Sequence, residues 1–488
     1  MRQTQLPGLL RSLTVRRWCW SGSGAHGYLA AQQILDFLEF YIIEDSIASR
    51  PYYESSVRPA LQSGALSGWS EELRVECEAI VEGMAAAGVV TVPSLGRAVD
   101  VWDLMAINYM VHVNNLPAFL PSAEDEQAAA PSAAETVAAS PETVAQAGGD
   151  EECSQFAAWG GATAGGDAEG GTILGRNMDG EIDIRKVTVT HLLIFAIEPT
   201  AAEEDGTRPA RYVFIQWPGC VGTSSGFNEH GLWVMNNAGS RALGLPEAAA
   251  ERPQPSMMWA VRQLLASHVA EGGASAEDVE SALLEGMRGE GEDDPQAGVL
   301  GNGKILFVGQ RFGEGGATQP DGAAFAVEGD HAGSWVRTAL PRREGLGVPD
   351  QSRPELTMRW DEALLATNHN MERGAEYSDS SGVPAKVFDR AVSYSSQWRY
   401  TAGANGLDAL IRSGQPIGTA EMKSLLQRVA QGTTEHSIIL RPDASPMVFE
   451  LANATGSALD GNGLWDAPYD AWVEFGFEEV FVGRRGRL

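Results

Sequence analysis

Cysteine is scarce in this chain: four residues in 488, at positions 19, 77, 153 and 220. Four thiols cannot frame a protein of this length as a disulfide scaffold. No two of them form a CxxC pair, which argues against a zinc ribbon or a thioredoxin-type site; a Cys19–Cys77 pair stays open. Basic residues are also few, 35 Lys and Arg against 65 Asp and Glu, for a formal net charge of −30. Such a surface repels phosphate backbones, so nucleic acid is not an expected partner. Only eight histidines occur. None stands at ligand spacing, so neither a metal nor an organic cofactor is expected, and no His-centred triad stands out. Long apolar runs are missing: nothing approaches the roughly 18 residues that cross a bilayer. The stretch Ile34–Ile47 is broken by Asp36, Glu39, Glu44 and Asp45. The N-terminus carries Arg2, Arg11, Arg16 and Arg17 without an apolar h-region or a small-residue cleavage site. No secretory signal is therefore expected, and the cytoplasm is favoured.

What the chain does have is 43% hydrophobic residues and 56 glycines, the composition of a globular, loop-rich protein with a substantial core. Three stretches differ in character. Residues 1–120 carry apolar residues at helical spacing, with helices expected over Ala30–Ile47, Glu71–Ala87 (stopped by Gly88) and Asp100–Val113. Residues 121–152 are Ala, Pro, Ser, Thr and Glu without an aromatic, a composition that cannot offset ordering entropy and suits a linker. From residue 153 to 488 strands dominate. They are expected at Ser154–Trp159, Thr172–Gly175, Val187–Ile197, Tyr212–Trp217, Leu232–Asn236, Lys304–Gly309, Ala323–Glu328, Ser334–Thr338, Glu362–Thr367, Ser437–Arg441, Met447–Leu451 and Ala471–Phe477. Helices are expected at Met257–Val269, Ala276–Met287 and Thr419–Val429. Strands with interspersed helices suggest a sheet-on-sheet α+β core with helices outside.

The chemistry concentrates in Cys153–Asp179. Cys153 begins a strand directly after the linker, and Arg176 and Asp179 lie one hairpin away. A cation holds a thiol as thiolate and an anion orients an amine. If the Glu152–Cys153 bond is broken, Cys153 gains an α-amine whose ordinary pKa of about 7.7–8.0 lets it act as its own general base. A buried structural cysteine and a surface ion pair are the bland alternatives for these residues.

At this point a resemblance becomes specific. Cys153-Ser154, Phe156-Ala157-Ala158-Trp159-Gly160 and Gly175-Arg176-Asn177-Met178-Asp179 resemble the start of mature N-terminal-nucleophile (Ntn) hydrolases of the isopenicillin-N acyltransferase kind, relatives of choloylglycine hydrolases and acid ceramidases. Further segments follow in the family's order: Gly226 to Leu232 with Asn236-Asn237, Thr367-Asn368-His369, Ser395 to Tyr400, and Thr434 to Ser437. Upstream, Glu82 to Ala85 and Asp103 to Asn108 resemble pro-segment helices. The likeness spans about 400 residues.

The resemblance implies a four-layer αββα sandwich of two antiparallel sheets, with residues 1–120 as a helical pro-segment and 153–488 as the catalytic domain. It implies Cys153 as the nucleophile freed by self-cleavage, and Arg176 and Asp179 as the pair that positions thiol and amine. Asn237, or its neighbour Asn236, would stand at the acyl-oxygen site, Asn368 would help polarise the carbonyl, and Arg399 would be the late active-site arginine. The implied reaction is cleavage or transfer at a linear amide bond of a small N-acyl amide through an acyl thioester. The cleaved pro-segment is an expected partner, and a homo-oligomer stays open. Glu152 stands where the family often has glycine. That departure motivates one alternative, an inactive relative that binds acylated ligands; a second, a peptidase of the related dipeptidase type, follows from the similarity of Cys153 with Gly175-Arg176-Asn177-Met178-Asp179 to that group as well. His230, His369 and His436 are expected to serve as structural hydrogen-bonders, Asn228 and Gly231 as hairpin-turn residues, and Trp159 as core.

Overall fold

The computed structural model describes residues 14–19, 23–46, 50–63, 71–110, 153–180, 185–199, 208–238, 257–269, 271, 273–286, 304–312, 322–330, 333–339, 360–368, 394–454 and 466–482. The linker 121–152, the Glu152 side of the expected scissile bond, and His369 lie outside the described residues. In the first part of the chain run β1 (Thr14–Cys19), α1 (Ser23–Asp36), α2 (Glu71–Ala86), a small hairpin β2 (Thr91–Val92) and β3 (Arg97–Ala98), and α3 (Val101–Met110). Then come β4 (Cys153–Ala158), β5 (Ile173–Asp179), β6 (Leu193–Glu198), β7 (Tyr212–Gln216), β8 (Ser225–Asn228) and β9 (Trp233–Ala238). Helices α4 (Met257–Ala266) and α5 (Ala276–Gly286) lead into β10 (Lys304–Gly309), β11 (Ala324–Asp330), β12 (Gly333–Thr338) and β13 (Ala363–Ala366). Helices α6 (Tyr394–Ser413) and α7 (Thr419–Arg428) precede β14 (Thr434–Arg441), β15 (Val448–Asn453) and β16 (Val473–Gly476).

Two sheets form the centre. One has the order β1-β6-β7-β8-β9-β10-β11-β12 and the other β13-β4-β5-β14-β15-β16. They pack face to face: the Phe227 and Phe449 rings stand 5.0 Å apart across the interface, and a Cβ on Gly309 would meet the Leu174 side chain. Strand β4 shows why both of its faces had to be apolar or small. Cys153 and Ala157 point into the inter-sheet core. Phe156 and Ala158 point the other way, onto Tyr400, Leu407, Leu425 and Leu426 from α6 and α7. Each such large side chain contributes about 1.5–3 kcal/mol on burial. Helices α4 and α5 contact the larger sheet. The four layers are therefore helix, sheet, sheet, helix, the αββα arrangement expected above.

The structure corrects several boundaries. Val187–Ile197 is not one strand: Arg185–Thr188 is a helical turn and the strand begins at Leu193. Strand β8 was not expected, because its Ser-Gly-Phe-Asn sequence has no alternation to betray it. Helix α6 was hidden by Gly403 and Gly406, which permit close packing: a Cβ on Gly403 would lie 3.0 Å from Phe156. The larger sheet is not wholly antiparallel, since β1 pairs with β6 in parallel. The N-terminal region thus contributes a strand as well as helices. Cys77 is a free, buried thiol, so the Cys19–Cys77 pair does not form.

The N-terminal helices are tied to the sandwich by specific polar contacts. Asn108 Nδ2 donates to Gly219 O (2.9 Å), and Asn108 Oδ1 accepts from Val221 N (2.7 Å). Gly219 N donates to His26 Nε2 (3.2 Å). Buried Arg262 of α4 pairs with Glu76 of α2 at 2.7 Å. Asp103 accepts from Tyr53 Oη (2.8 Å), Arg97 and Arg58; burial, and then Asp103, push the Tyr53 hydroxyl well above its usual range. Helices α1 and α2 touch backbone to backbone: a Cβ on Gly83 would lie 1.9 Å from Gly24 O, and one on Gly27 would lie 1.9 Å from Ile80 O. Gly83→Ala is therefore expected to destabilise the chain by about 1–3 kcal/mol, the scale of overpacking. Urea unfolding would show it as a lowered midpoint; a change within about 0.5 kcal/mol, the range of ordinary surface substitutions, would mean that the helices can separate without cost.

Candidate active site

One end of the sandwich gathers the start of β4, the ends of β5, β9 and β13, and the starts of α6 and β14. Residues Cys153 and Met178 are directly opposed in the β4–β5 pair, as are Gln155 and Arg176. Opposed residues share a face, so Cys153, Gln155, Arg176 and Met178 all point between the sheets. Gly175 lets helix α7 press onto β5: a Cβ there would lie 2.5 Å from Met422 Sδ.

Arg176 is fully buried. Its Nη2 donates to Cys153 Sγ (3.2 Å) and Asn236 O (2.9 Å), and lies 2.9 Å from Met178 Sδ. Its Nη1 donates to Ser224 O and Ser225 Oγ, both at 2.6 Å, and lies 3.2 Å from Met235 Sδ. Among the described residues no carboxylate is a partner of this guanidinium. Cys153 is buried too, with Sγ 3.5 Å from Met178 Sδ. Among the described partners of Arg176, the sulfur is thus the group best suited to carry a compensating negative charge.

The Cys153 backbone is held from the other side. Its N–H donates to Asn368 Oδ1 (3.0 Å), and its carbonyl accepts from Arg399 Nη1 (2.6 Å). Arg399 also donates to Ser154 Oγ (2.9 Å) and to Asn368 Oδ1 (2.8 Å). Asn368 is itself fixed, its N–H donating to Ser396 Oγ (2.8 Å). Asn237 Nδ2 donates to Thr367 O (2.9 Å) and lies 3.5 Å from Cys153 O, while its Oδ1 accepts from Gln155 Nε2 (2.6 Å).

Of the expected site residues, Cys153, Arg176, Asn237, Asn368 and Arg399 therefore meet at one point, and Asn236 joins through its carbonyl. Asp179 sits one residue beyond Met178, so strand parity sends its side chain to the opposite face from Arg176. There its Oδ1 accepts from Thr434 Oγ1. Both Arg176 and Asp179 are buried, which rules out the surface ion pair. Ser224, Ser225 and Gln155 were not anticipated; Ser396 and Thr434 fall inside segments that carry the family resemblance, but no role was expected of them. Of the first three, only the serines of Thr223-Ser224-Ser225 offered a local signal, as polar residues entering an otherwise apolar strand pair. Trp159 is core, and Asn228 and Gly231 form the β8–β9 turn as expected.

His436 departs from expectation. It is buried opposite Met178 in the β5–β14 pair, and neither ring nitrogen has a hydrogen-bond partner among the described residues. Burial, and then the Arg176 charge, push it from 6.5 down to about 3. The folded chain keeps it neutral where the unfolded chain would protonate it. Its share of stability is complete above pH 6.5 and is lost as pH falls from there toward about 3, with a slope of up to about 1.4 kcal/mol per pH unit. His436→Leu, compared by urea unfolding in a Cys153→Ala background between pH 7 and about 4.5, is expected to flatten that slope by close to one proton; an unchanged slope would mean that the imidazole is protonated in the fold.

No protein-family model and no curated protein matches the sequence. Solved structures do. One is a Caenorhabditis elegans ortholog of N-acylethanolamine-hydrolyzing acid amidase, 15% identical, covering 60% of this chain and 94% of that one at a TM-score of 0.33. Another is a mutant of conjugated bile acid hydrolase from Clostridium perfringens, 12% identical, covering 66% and 96%, with a TM-score of 0.33. A third is penicillin V acylase from Agrobacterium tumefaciens, 14% identical, covering 62% and 84%, with a TM-score of 0.32. The two-sheet architecture stated above stands on this chain's own strand pairing.

Proposed function

We propose that the chain is a cysteine N-terminal-nucleophile amidohydrolase or acyltransferase, activated by its own cleavage before Cys153 and acting on a linear amide bond of a small N-acyl substrate. The observation that carries this reading is the pair of contacts on one residue: the Arg176 guanidinium on Cys153 Sγ and the Asn368 oxygen on Cys153 N. A nucleophile that carries its own base needs both of its ends fixed at once, and both are.

Activation runs as an N-to-S acyl shift. Sγ attacks the Glu152 carbonyl carbon, the C–N bond to Cys153 breaks, and the nitrogen takes up the thiol proton. Water then hydrolyses the Glu152 thioester, leaving a carboxylate on the first fragment and an α-amine on the second. In turnover the α-amine accepts the thiol proton and Sγ attacks the substrate carbonyl. The α-ammonium next protonates the departing amine, and water or an acceptor amine resolves the acyl thioester. The Asn237 amide and the Arg399 guanidinium are the donors at hand for the oxygen that gains charge, and donors aimed at a developing oxyanion supply a large share of acyl-transfer catalysis. Asp179 keeps β14 and β5 in register at the nitrogen end through Thr434.

N-terminal sequencing and intact mass of the purified protein test the activation step. A fragment beginning at Cys153 is expected from the natural chain, and an uncut, inactive chain from Cys153→Ala. An uncut natural chain that forms no acyl thioester with any of a panel of N-acyl amino acids, N-acyl ethanolamides, bile-salt conjugates and dipeptides would replace the enzyme with a binding protein. Activity retained by Cys153→Ala would remove Cys153 as nucleophile. Asn368→Ala is expected to lower turnover about 100- to 1000-fold, the scale for losing one polar group at an acyl-transfer centre, as read from initial rates on the best substrate of that panel; an unaltered rate takes Asn368 out of the site.

A further inference from the structure

A second cluster of chemically active side chains lies at the far side of β9 from Cys153. His230 sits in the turn between β8 and β9, while His268 and Glu271 follow the end of α4. Nε2 of His230 stands 3.1 Å from Nδ1 of His268, and Glu271 Oε2 stands 3.3 Å from that same Nδ1. All three atoms fall within 4.8 Å of one another. Ligands bound tetrahedrally at about 2.0–2.2 Å from one ion are separated by roughly 3.4 Å, so the spacing is that of a preformed half-shell.

The cluster is built, not incidental. The Asn228 side chain fastens the turn to the helix end: its Oδ1 accepts from His230 N and Leu232 N, both at 3.0 Å, and its Nδ2 donates to Leu265 O at 3.1 Å. Gly231, at φ +84°, completes the turn. A turn from Glu271 N to His268 O at 2.9 Å folds the carboxylate back over the ring. His268 Nε2 lies 2.6 Å from the Arg208 carbonyl oxygen. A carbonyl can only accept, so Nε2 carries a proton and Nδ1 is the nitrogen turned toward the cluster. That is the outer hydrogen bond that fixes a ligating imidazole in the right tautomer. The end of α4 adds its partial negative charge, and the chain's net charge of −30 favours cation entry. The His268 and Glu271 side chains are 33% and 67% exposed, which leaves a path and an open position for water.

We infer that His230, His268 and Glu271 form a site for a divalent transition ion of the zinc type, a clamp that pins the end of α4 to the β8–β9 turn. Two imidazoles and one carboxylate suit zinc and exclude a magnesium or calcium preference, since those ions take oxygen shells. To hold the ion, His230 Nε2 and His268 Nδ1 would both have to present lone pairs to it, so the hydrogen bond between the two rings would be given up on binding. The clamp is not part of the acyl chemistry. Asn236, which holds Arg176, stands six residues along from His230, beyond the β8–β9 turn and on β9.

The experiment is a zinc chloride titration of the full, EDTA-treated protein by competition with a chromophoric chelator, with thermal unfolding followed in parallel. One equivalent bound to the natural chain is expected, together with a raised unfolding temperature. Affinity should fall at least about tenfold in His268→Ala and in His230→Gln, the second of which keeps a side-chain donor in the turn and so guards against simple misfolding. His191→Ala, a histidine outside the cluster, should bind like the natural chain. Cobalt in place of zinc should give the visible bands of a four-coordinate site. The inference is overturned if no stoichiometric zinc binds, or if His268→Ala and His230→Gln bind it as tightly as the natural chain, in which case the two rings are no more than a hydrogen-bonded pair.

Discussion

A positive charge buried with no carboxylate partner among the described residues is the constraint on which the centre of this molecule depends. The Arg176 guanidinium stands fully inside, surrounded by two carbonyl oxygens, one hydroxyl, two thioether sulfurs and the Cys153 sulfur. Desolvating an ion costs several kcal/mol, and neutral acceptors recover only part of that. The remainder is recovered most effectively by a negative charge in contact, and Cys153 is the neighbour able to supply it. The same interaction thus supports the fold and, under the proposed function, would prepare a nucleophile. It also explains why both sheets must be complete before the site exists: β5 contributes the arginine and β4 the sulfur, while the carbonyls come from β9 and from the segment just before β8.

That last segment gives the N-terminal region its physical meaning. Residues 217–225 run from β7 to β8 and end at the two serines that hold Arg176. Their conformation is set from the N-terminal side, by Asn108 on Gly219 and Val221 and by His26 on Gly219. Asn108 in turn hangs on α3, whose Asp103 gathers Tyr53, Arg58 and Arg97. The sequence segments that resemble pro-segment helices are therefore contact residues: Gly83 for the closeness of two helices, Asp103 for a buried charge network, Asn108 for the loop under Arg176. A region knit in this way shares a strand pairing and buried polar contacts with the residues that follow Cys153.

Much of this was legible in the sequence, and the parts that were not have physical reasons. Cys153, Arg176 and their hairpin are close in the chain, so strand periodicity alone brings them together. The same periodicity separates Arg176 from Asp179, because an odd spacing of three puts the two on opposite faces. Asn368 and Arg399 lie more than 200 residues from Cys153, and only the family resemblance pointed to them. Gly403 and Gly406 in α6, and Gly226 in β8, serve close packing, and glycine used in that way erases the local signals of helix and strand. His230 and His268 come together through a turn and a helix end 38 positions apart, a spacing that no ligand motif describes.

The Asn368 oxygen carries the last step of the argument. It accepts a hydrogen bond from Cys153 N while that nitrogen is still a peptide amide, and it is held there by Arg399. Under the proposed self-cleavage, a peptide nitrogen and an α-amine would both have an N–H to give, so one acceptor could serve before and after scission without moving. The nitrogen itself would gain a lone pair directed away from the donor bond and hence available to the neighbouring sulfur, and activation would consist of breaking one bond inside a site that is otherwise finished. Arg399 secures this from both sides by contacting the Cys153 carbonyl as well as the asparagine. The arginine that the sequence marked as late in the chain thus belongs to the positioning of Cys153.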